Sequence, residues 1–350
     1  MRRMRASLSH ATRRPNPPSG PSRSGAAAFP GLAGLRDACK SRVRHVGHAC
    51  PMPDHPDPRV ALIGPASWNH LISLDRLPEP RPHMQVARRA FHTVGGTSAG
   101  KALHLAALGV DTALHTLLAD DDAGRLIERC LQGAGVAVSA HPSRCTERHV
   151  NLMTDSGERV SLYVSTPDAP SQSVVDAAAR AAQSATVTVV DLGEFGARAL
   201  GRLDGARIWT DLHDYDGVSA FHELFLRSAE VVFMNADAVE DPWRLLEHCV
   251  QRGPRLAVCT LGAAGAIALR ADGERASVPA VPTGVVDSNG AGDAFFAGVL
   301  AACLGGACLP DALAAGARQA AVALGSAHLH PVLDGMLPAA PAAVPAGGPR

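Results

Sequence analysis

From Arg59 onward the chain is punctuated by short apolar runs, each closed by glycine or a polar residue. They are Val60-Ala-Leu-Ile-Gly64, Thr186-Val-Thr-Val-Val-Asp191, Ile208-Trp-Thr-Asp211, Val231-Val-Phe-Met-Asn235 and Leu256-Ala-Val-Cys-Thr260. Runs this short and this rich in Val and Ile suit strands buried on both faces. Helix-like stretches separate them, and strands alternating with helices imply a parallel sheet covered on both sides. The expected fold is therefore a three-layer α/β/α sandwich with a central, mostly parallel sheet. In such sheets ligands gather beyond the carboxyl ends of the strands. Asp191, Asp211, Asn235 and Thr260 thus point toward one crevice, although each alone reads equally as a strand-end turn residue.

Two segments break the rhythm. Residues 150–164 alternate around Asp155-Ser-Gly157 and read as a hairpin, and residues 69–94 read as extended pieces joined by prolines. Lid segments are expected near 69–94 and 148–166, forming a small second sheet over the crevice. Residues 1–58 are rich in Arg, Pro and Ser with no sustained period, so they read as a disordered leader or an over-extended start, with Met52 as the natural beginning. The folded domain is expected over 59–335 and a disordered tail over 336–350.

Charge narrows the partners. Thirty-three basic and thirty-three acidic residues cancel, leaving no global field for nucleic acid or an anionic membrane. No apolar run is long enough to span a bilayer. The partner is therefore expected to be a small molecule. Eight scattered cysteines without a Cys-x-x-Cys pair suit a reducing cytoplasm. Cys39, His45, His48 and Cys50 lie close together, but their spacing matches no familiar zinc site.

Chemistry is concentrated in Asp287-Ser-Asn-Gly-Ala-Gly-Asp293, followed by an apolar stretch that reads as a helix. Gly290, Ala291 and Gly292 let backbone amides approach a ligand, and a glycine turn at a helix N-terminus is a natural phosphate cradle. A carboxylate beside such a cradle repels the substrate unless it handles a proton. Asp293 therefore suits a general base in phosphoryl transfer to a hydroxyl, the alternative being a residue that complements the helix dipole.

Gly95-Gly-Thr-Ser-Ala-Gly-Lys101 competes for the same role, since it matches the glycine-lysine core of a P-loop. It lacks the hydroxyl that should follow the lysine, because residue 102 is Ala. The residues before it are also a poor buried strand. Lys101, one of two lysines in the chain with Lys40, remains a candidate to reach the substrate from the helix that follows Gly95 and Gly96.

The Asp287–Asp293 loop resembles the second signature of the ribokinase-like (PfkB) carbohydrate kinase family. Other segments resemble that family in order: Gly95-Gly96 with Ala102, Asp121-Asp-Ala-Gly124, the 150–164 hairpin, and Thr260-Leu-Gly-Ala-Ala-Gly265. The resemblance implies a Rossmann-like sandwich with a small β lid, and an ATP- and Mg2+-dependent kinase acting on a hydroxyl of a sugar or sugar-like molecule. It implies Asp293 as base and Gly290, Ala291 and Gly292 as anion hole. Thr260, Gly262 and Gly265 fall on the nucleotide side, with Asn235 near magnesium through water. Asn69, Gly95, Gly96 and Lys101 fall on the acceptor side, and Asp287 beside a monovalent cation such as K+. A lid sheet also serves some relatives as a homodimer interface.

The chain departs from the family pattern at three places. Asn69 stands where the family has a substrate-binding Asp, Gly100 where it usually has Asn, and Ala238 where the magnesium-organising Asn-x-x-Glu element has Glu. Asp237 and Glu240 are nearby substitutes out of register. A nucleoside kinase, or a ligand-binding relative with impaired catalysis, is the alternative reading. His213 and Asp214 border the expected crevice.

Overall fold

The computed structural model describes residues 59–154 and 157–342. The expectations for residues 1–58, including the Met52 start and the Cys39–Cys50 grouping, and for 343–350 lie outside the described residues. The first half of the domain runs β1 (Arg59–Ile63), β2 (Ser67–Leu74), β3 (Arg89–Gly95), α1 (Thr97–Ala107), β4 (Asp111–Leu118), α2 (Asp122–Gly133), β5 (Ala137–Pro142), β6 (Glu147–Thr154), β7 (Arg159–Ser165) and α3 (Gln172–Ala182). The second half runs β8 (Val187–Val190), α4 (Glu194–Leu200), β9 (Ile208–Asp211), α5 (Ala220–Ser228), β10 (Val231–Asn235), α6 (Pro242–Val250), β11 (Leu256–Thr260), β12 (Ala266–Arg270), β13 (Arg275–Val278), α7 (Ala291–Leu304) and α8 (Leu309–Leu324).

Nine strands form the main sheet in the order β13-β12-β11-β10-β9-β8-β1-β4-β5. From β11 to β5 every pairing is parallel, and β12 and β13 close one edge as an antiparallel hairpin. The core is split by this sheet because successive strand residues point to opposite faces. Val60, Leu62, Val231, Phe233 and Val258 join α1, α2, α7 and α8 on one side. Ala61, Ile63, Val232, Met234 and Ala257 join α3, α4, α5 and α6 on the other. The three-layer sandwich expected from the apolar runs is the observed one.

The second sheet has four strands in the order β3-β2-β6-β7. It is built from the two segments that break the strand-helix rhythm. Asp121 ties it to the main body: one carboxylate oxygen caps α2 by accepting from the Gly124 amide at 2.7 Å and also accepts from Thr146 Oγ1 at 2.8 Å, while Arg148 of β6 donates to the other at 3.0 Å. Near the end of the described residues Leu337 is buried in the core on the side of α1, α2, α7 and α8.

Candidate active site

Four adjacent parallel strands, β8 to β11, end in or just before Asp191, Asp211, Asn235 and Thr260. Asn235 and Thr260 are register partners, and Asn235 takes its backbone hydrogen bond from the next loop, donating to the His213 carbonyl at 2.7 Å. On the same side α7 begins at Gly290, whose positive φ of 80° sets the turn into the helix. No side chain caps this N-terminus, and the Ala291 amide makes only a long backbone contact, to the Ser288 carbonyl at 3.4 Å. A Cβ at Gly292 would meet nothing within 4 Å, so open space lies beside it for a phosphate group.

Asp293 sits in the first turn of α7 and is only 8% exposed. Its Oδ1 accepts a hydrogen bond from Lys101 Nζ at 2.8 Å. Burial, opposed by Lys101 and reinforced by the nearby Asp211 charge, raises its pKa to about 6. Gly100, one residue before Lys101 on α1, faces the same carboxylate. A Cβ there would stand 3.0 Å from Asp293 Oδ2 and 3.1 Å from its Cβ. Where the family usually has Asn, Gly100 leaves this side of the aspartate without a side chain against it.

Lys101 differs from its sequence expectation. Its side chain is fully buried, so its ammonium is not presented to the acceptor crevice. Nζ lies 2.8 Å from Asp293, 3.0 Å from Asp191 and 3.5 Å from Asp211, with the Phe296 ring centroid at 5.1 Å. Burial alone would discourage the charge, but the three carboxylates more than reverse that and hold Lys101 above the ordinary lysine range. The P-loop alternative fails for the same reason: the lysine is consumed by carboxylates, and the strand before it, β3, belongs to the small sheet. Asp191 is fixed further by Ser98 Oγ, which donates to Oδ2 at 2.6 Å. Asp211 is held below the usual carboxylate range. Burial opposes that shift, but the His213 ring, Lys101 and the His213 amide outweigh it.

The glycine pair also has a steric reason. Asn69 is buried on β2, and a Cβ at Gly95 would stand 2.1 Å from its Nδ2. Ser67 Oγ donates to Asn69 Oδ1 at 2.8 Å. Gly96 has a φ of 93°, and a Cβ there would collide with the Pro65 carbonyl at 2.5 Å. On the other flank, Gly262 and Gly265 shape the loop after β11 with φ of 55° and 98°. A Cβ at Gly265 would meet the Val278 carbonyl at 2.0 Å, while one at Gly262 would meet nothing. Asp287 is buried, accepts from the Asn289 amide at 2.8 Å, and has the Arg89 guanidinium 3.9 Å away.

No grouping of three or more His, Cys, Asp or Glu among the described residues is arranged to hold a metal ion. The three carboxylates that do converge close on an ammonium instead. Asn235 Oδ1 accepts the Asp237 amide at 3.0 Å, and Asp237, Ala238 and Glu240 are exposed. The strand pattern puts Asp191 and Asp211 at strand ends facing one crevice, and the structure adds that both close on Lys101. Their use as partners of Lys101 was signalled, faintly, by a lone lysine in a lysine-poor domain.

A cavity of about 430 Å3 lies at the carboxyl ends of β1, β4 and β8, under the small sheet. Glu147, Tyr163, Asp168, Glu194, Phe195 and Phe221 contribute to its wall. The strand-end cluster after β9 is close enough for the Asp214 charge to act on Tyr163 and that of His213 on Asp293.

Comparison with known proteins gives a consistent picture. Residues 57–331 match the model of the pfkB family carbohydrate kinases. The chain is 33% identical over 281 residues to acarbose 7(IV)-phosphotransferase of Actinoplanes sp. strain SE50/110, covering 78% of this chain and 93% of the relative. It is 27% identical over 269 residues to a nucleoside kinase of Methanothermobacter thermautotrophicus, covering 72% and 84%. Among solved structures, a microbiome-derived acarbose kinase superimposes with a TM-score of 0.66 at 30% identity, covering 77% of this chain and 93% of that one. The ribokinase of Thermotoga maritima superimposes with a TM-score of 0.66 at 16% identity, covering 81% and 96%, a likeness of fold.

Proposed function

The chain belongs to the pfkB family of carbohydrate kinases, and we propose that, in transferring a phosphoryl group from ATP to a hydroxyl of a sugar-like acceptor, it uses Asp293 as base and the amides of Gly290, Ala291 and Gly292 as anion hole. The observation that carries this reading is a buried carboxylate with a pKa raised to about 6 at the uncapped start of α7. A base is most useful when its pKa lies near the working pH, and a helix N-terminus supplies oriented dipoles to the moving charge. Asp293 takes the hydroxyl proton as the acceptor oxygen bonds to phosphorus and the bond to the departing ADP oxygen breaks.

The nucleotide is assigned to the side of Thr260, Gly262 and Gly265, where the open space beside Gly262 leaves room for close approach. Magnesium, when bound with ATP, neutralises charge on the nucleotide phosphates, and Asn235 would reach it through water. With no protein cage for a divalent ion among the described residues, it fits as the nucleotide's own counter-ion. Asp287 already faces Arg89, and no step is assigned to a monovalent cation there.

The acceptor is assigned to the crevice between the two sheets, bordered by Asn69, Gly95 and Gly96, with the 430 Å3 cavity adjoining at Pro65, against which Gly96 packs. Carboxylates and aromatic rings in one wall suit a polyhydroxylated ring, which takes hydrogen bonds at its hydroxyls and stacks its C–H face. The two most similar relatives named above act on acarbose, which favours a sugar-like acceptor over a nucleoside. The direct test is a panel of sugars, oligosaccharides, acarbose and nucleosides incubated with ATP and magnesium, read by phosphorus NMR of the product. A phosphomonoester on a sugar-like acceptor supports the reading. Product from nucleosides alone refutes the acceptor class, and binding without product across the panel refutes the kinase assignment.

A further inference from the structure

The buried lysine has no place in the steps above. It is the only lysine among the described residues, it has no exposed surface, and its ammonium touches three carboxylates from three different elements. Stability alone does not explain such a cluster. A buried ion pair is no better for folding than a well-packed apolar group, and here one ammonium faces three carboxylates, leaving an excess of buried negative charge. That excess is tolerable where a proton must be taken up nearby. We infer that Lys101 is a positioning residue for phosphoryl transfer: it pins Oδ1 of Asp293 and keeps that carboxylate ionised and oriented, while Asp191 and Asp211 hold the ammonium in place. The inference rests on the reading of Asp293 as base.

The geometry divides the labour between the two carboxylate oxygens. Oδ1 is committed to Lys101 at 2.8 Å. Oδ2 lies along Gly100, where no Cβ intrudes, and is the oxygen left for the acceptor proton. Lys101 itself keeps its protons throughout, since the surrounding carboxylates hold it above the ordinary lysine range. Asp191 cannot drift away because Ser98 Oγ holds its other oxygen at 2.6 Å. Around Asp293 the titratable groups are Lys101 on α1, Asp211 at the end of β9 and His213 just beyond it, with Asp191 behind the lysine.

The test is the pH dependence of kcat/KM for the acceptor, which reports the ionisation of the free enzyme's base. The native profile should lose activity on the acid side as pH falls through about 6. Lys101→Met removes the only cation in direct contact with Asp293, and the acid limb should move up by about one unit or more, costing roughly threefold at pH 6.5 and approaching about tenfold at pH 5. Lys101→Met combined with Asp211→Asn returns the cluster to its native net charge, and its limb should fall back to within about half a unit of the native one. The affinity for ATP should be the same in all three. An unmoved limb in Lys101→Met overturns the inference, and so does a folded double variant whose limb stays displaced. Should Lys101→Met fail to fold, Lys101→Gln, which keeps a donor toward Oδ1 without the charge, carries the same test: a limb displaced upward supports the inference and an unmoved one overturns it. Asp293→Asn distinguishes the two levels: if it is inactive while Lys101→Met keeps the native profile, only this inference falls, whereas an active Asp293→Asn removes the base and this inference together.

Discussion

Gly100→Ala adds one methyl group to α1 and sets two effects against each other. Alanine is better than glycine inside a helix by about 1 kcal/mol, because it restricts the unfolded chain. The methyl, however, would arrive 3.0 Å from Asp293 Oδ2, 3.1 Å from its Cβ and 3.3 Å from its Cγ. Ordinary carbon contacts lie near 3.5–4.0 Å, so the aspartate must retreat by roughly 0.5 Å. Overpacking of this kind costs about 1–3 kcal/mol, and the helix gain offsets much of it. Net destabilisation should therefore be about 0–2 kcal/mol, a shift of a few degrees in Tm. Catalysis has no such compensation. A misplacement of about 1 Å costs up to a hundredfold, so half of that should cost about tenfold in kcat. The assay is ADP release under saturating ATP and acceptor, run beside a thermal melt. A kcat within twofold of native would show that the Asp293 position is not critical, and would refute the reasoning.

Other perturbations test separate parts of the account. His104 is buried, with its Nε2 against the Leu329 carbonyl and its Nδ1 accepting from Gln319, and burial together with the His330 charge lowers its pKa to about 4. A depressed histidine pKa means the unfolded chain binds the extra proton, so stability should fall by about 3 kcal/mol as pH drops from 6.5 to 4. Urea melts across that range should show the slope, and His104→Leu should reduce it by about that amount, leaving the share of other histidines depressed by burial, such as His141, His328 and His330. Gly265→Ala forces a Cβ to 2.0 Å from the Val278 carbonyl at a φ of 98°, and should destabilise by about 2 kcal/mol or more while weakening nucleotide binding, measured by denaturation and by titration calorimetry. Asp121→Ala removes the α2 cap together with the Thr146 and Arg148 contacts, and should cost about 1–2 kcal/mol by the same melts.

The parts legible in the sequence were those where one local pattern decides the outcome. Val60–Ile63, Val231–Met234 and Leu256–Cys259 are continuous apolar runs, and a run buried on both faces belongs in the middle of a parallel sheet. The loop at Gly290–Asp293 was equally plain, because glycines before an apolar helix have few other uses. β4 was harder to see: Thr112, His115 and Thr116 interrupt its apolar run, yet they are buried because the strand lies between two neighbours. β5 sits at the sheet edge with mostly exposed residues and carries almost no pattern. The β12–β13 hairpin is also an edge feature, set by pairing to β11. Lys101 shows the deeper limit. Whether a lysine after a glycine pair faces a ligand or the interior depends on the helix register relative to Asp191, Asp211 and Asp293, which lie far along the chain and meet only in the folded protein.

The central claim is the role of Asp293, and the most direct measurement is single-turnover phosphoryl transfer by Asp293→Asn with ATP already bound. The substitution keeps the shape and removes the base, and the amide still accepts from Lys101 through its oxygen. The predicted result is a rate lower by about a hundredfold to ten-thousandfold, with the Kd for ATP within about twofold of native. A native transfer rate in that variant would contradict the assignment.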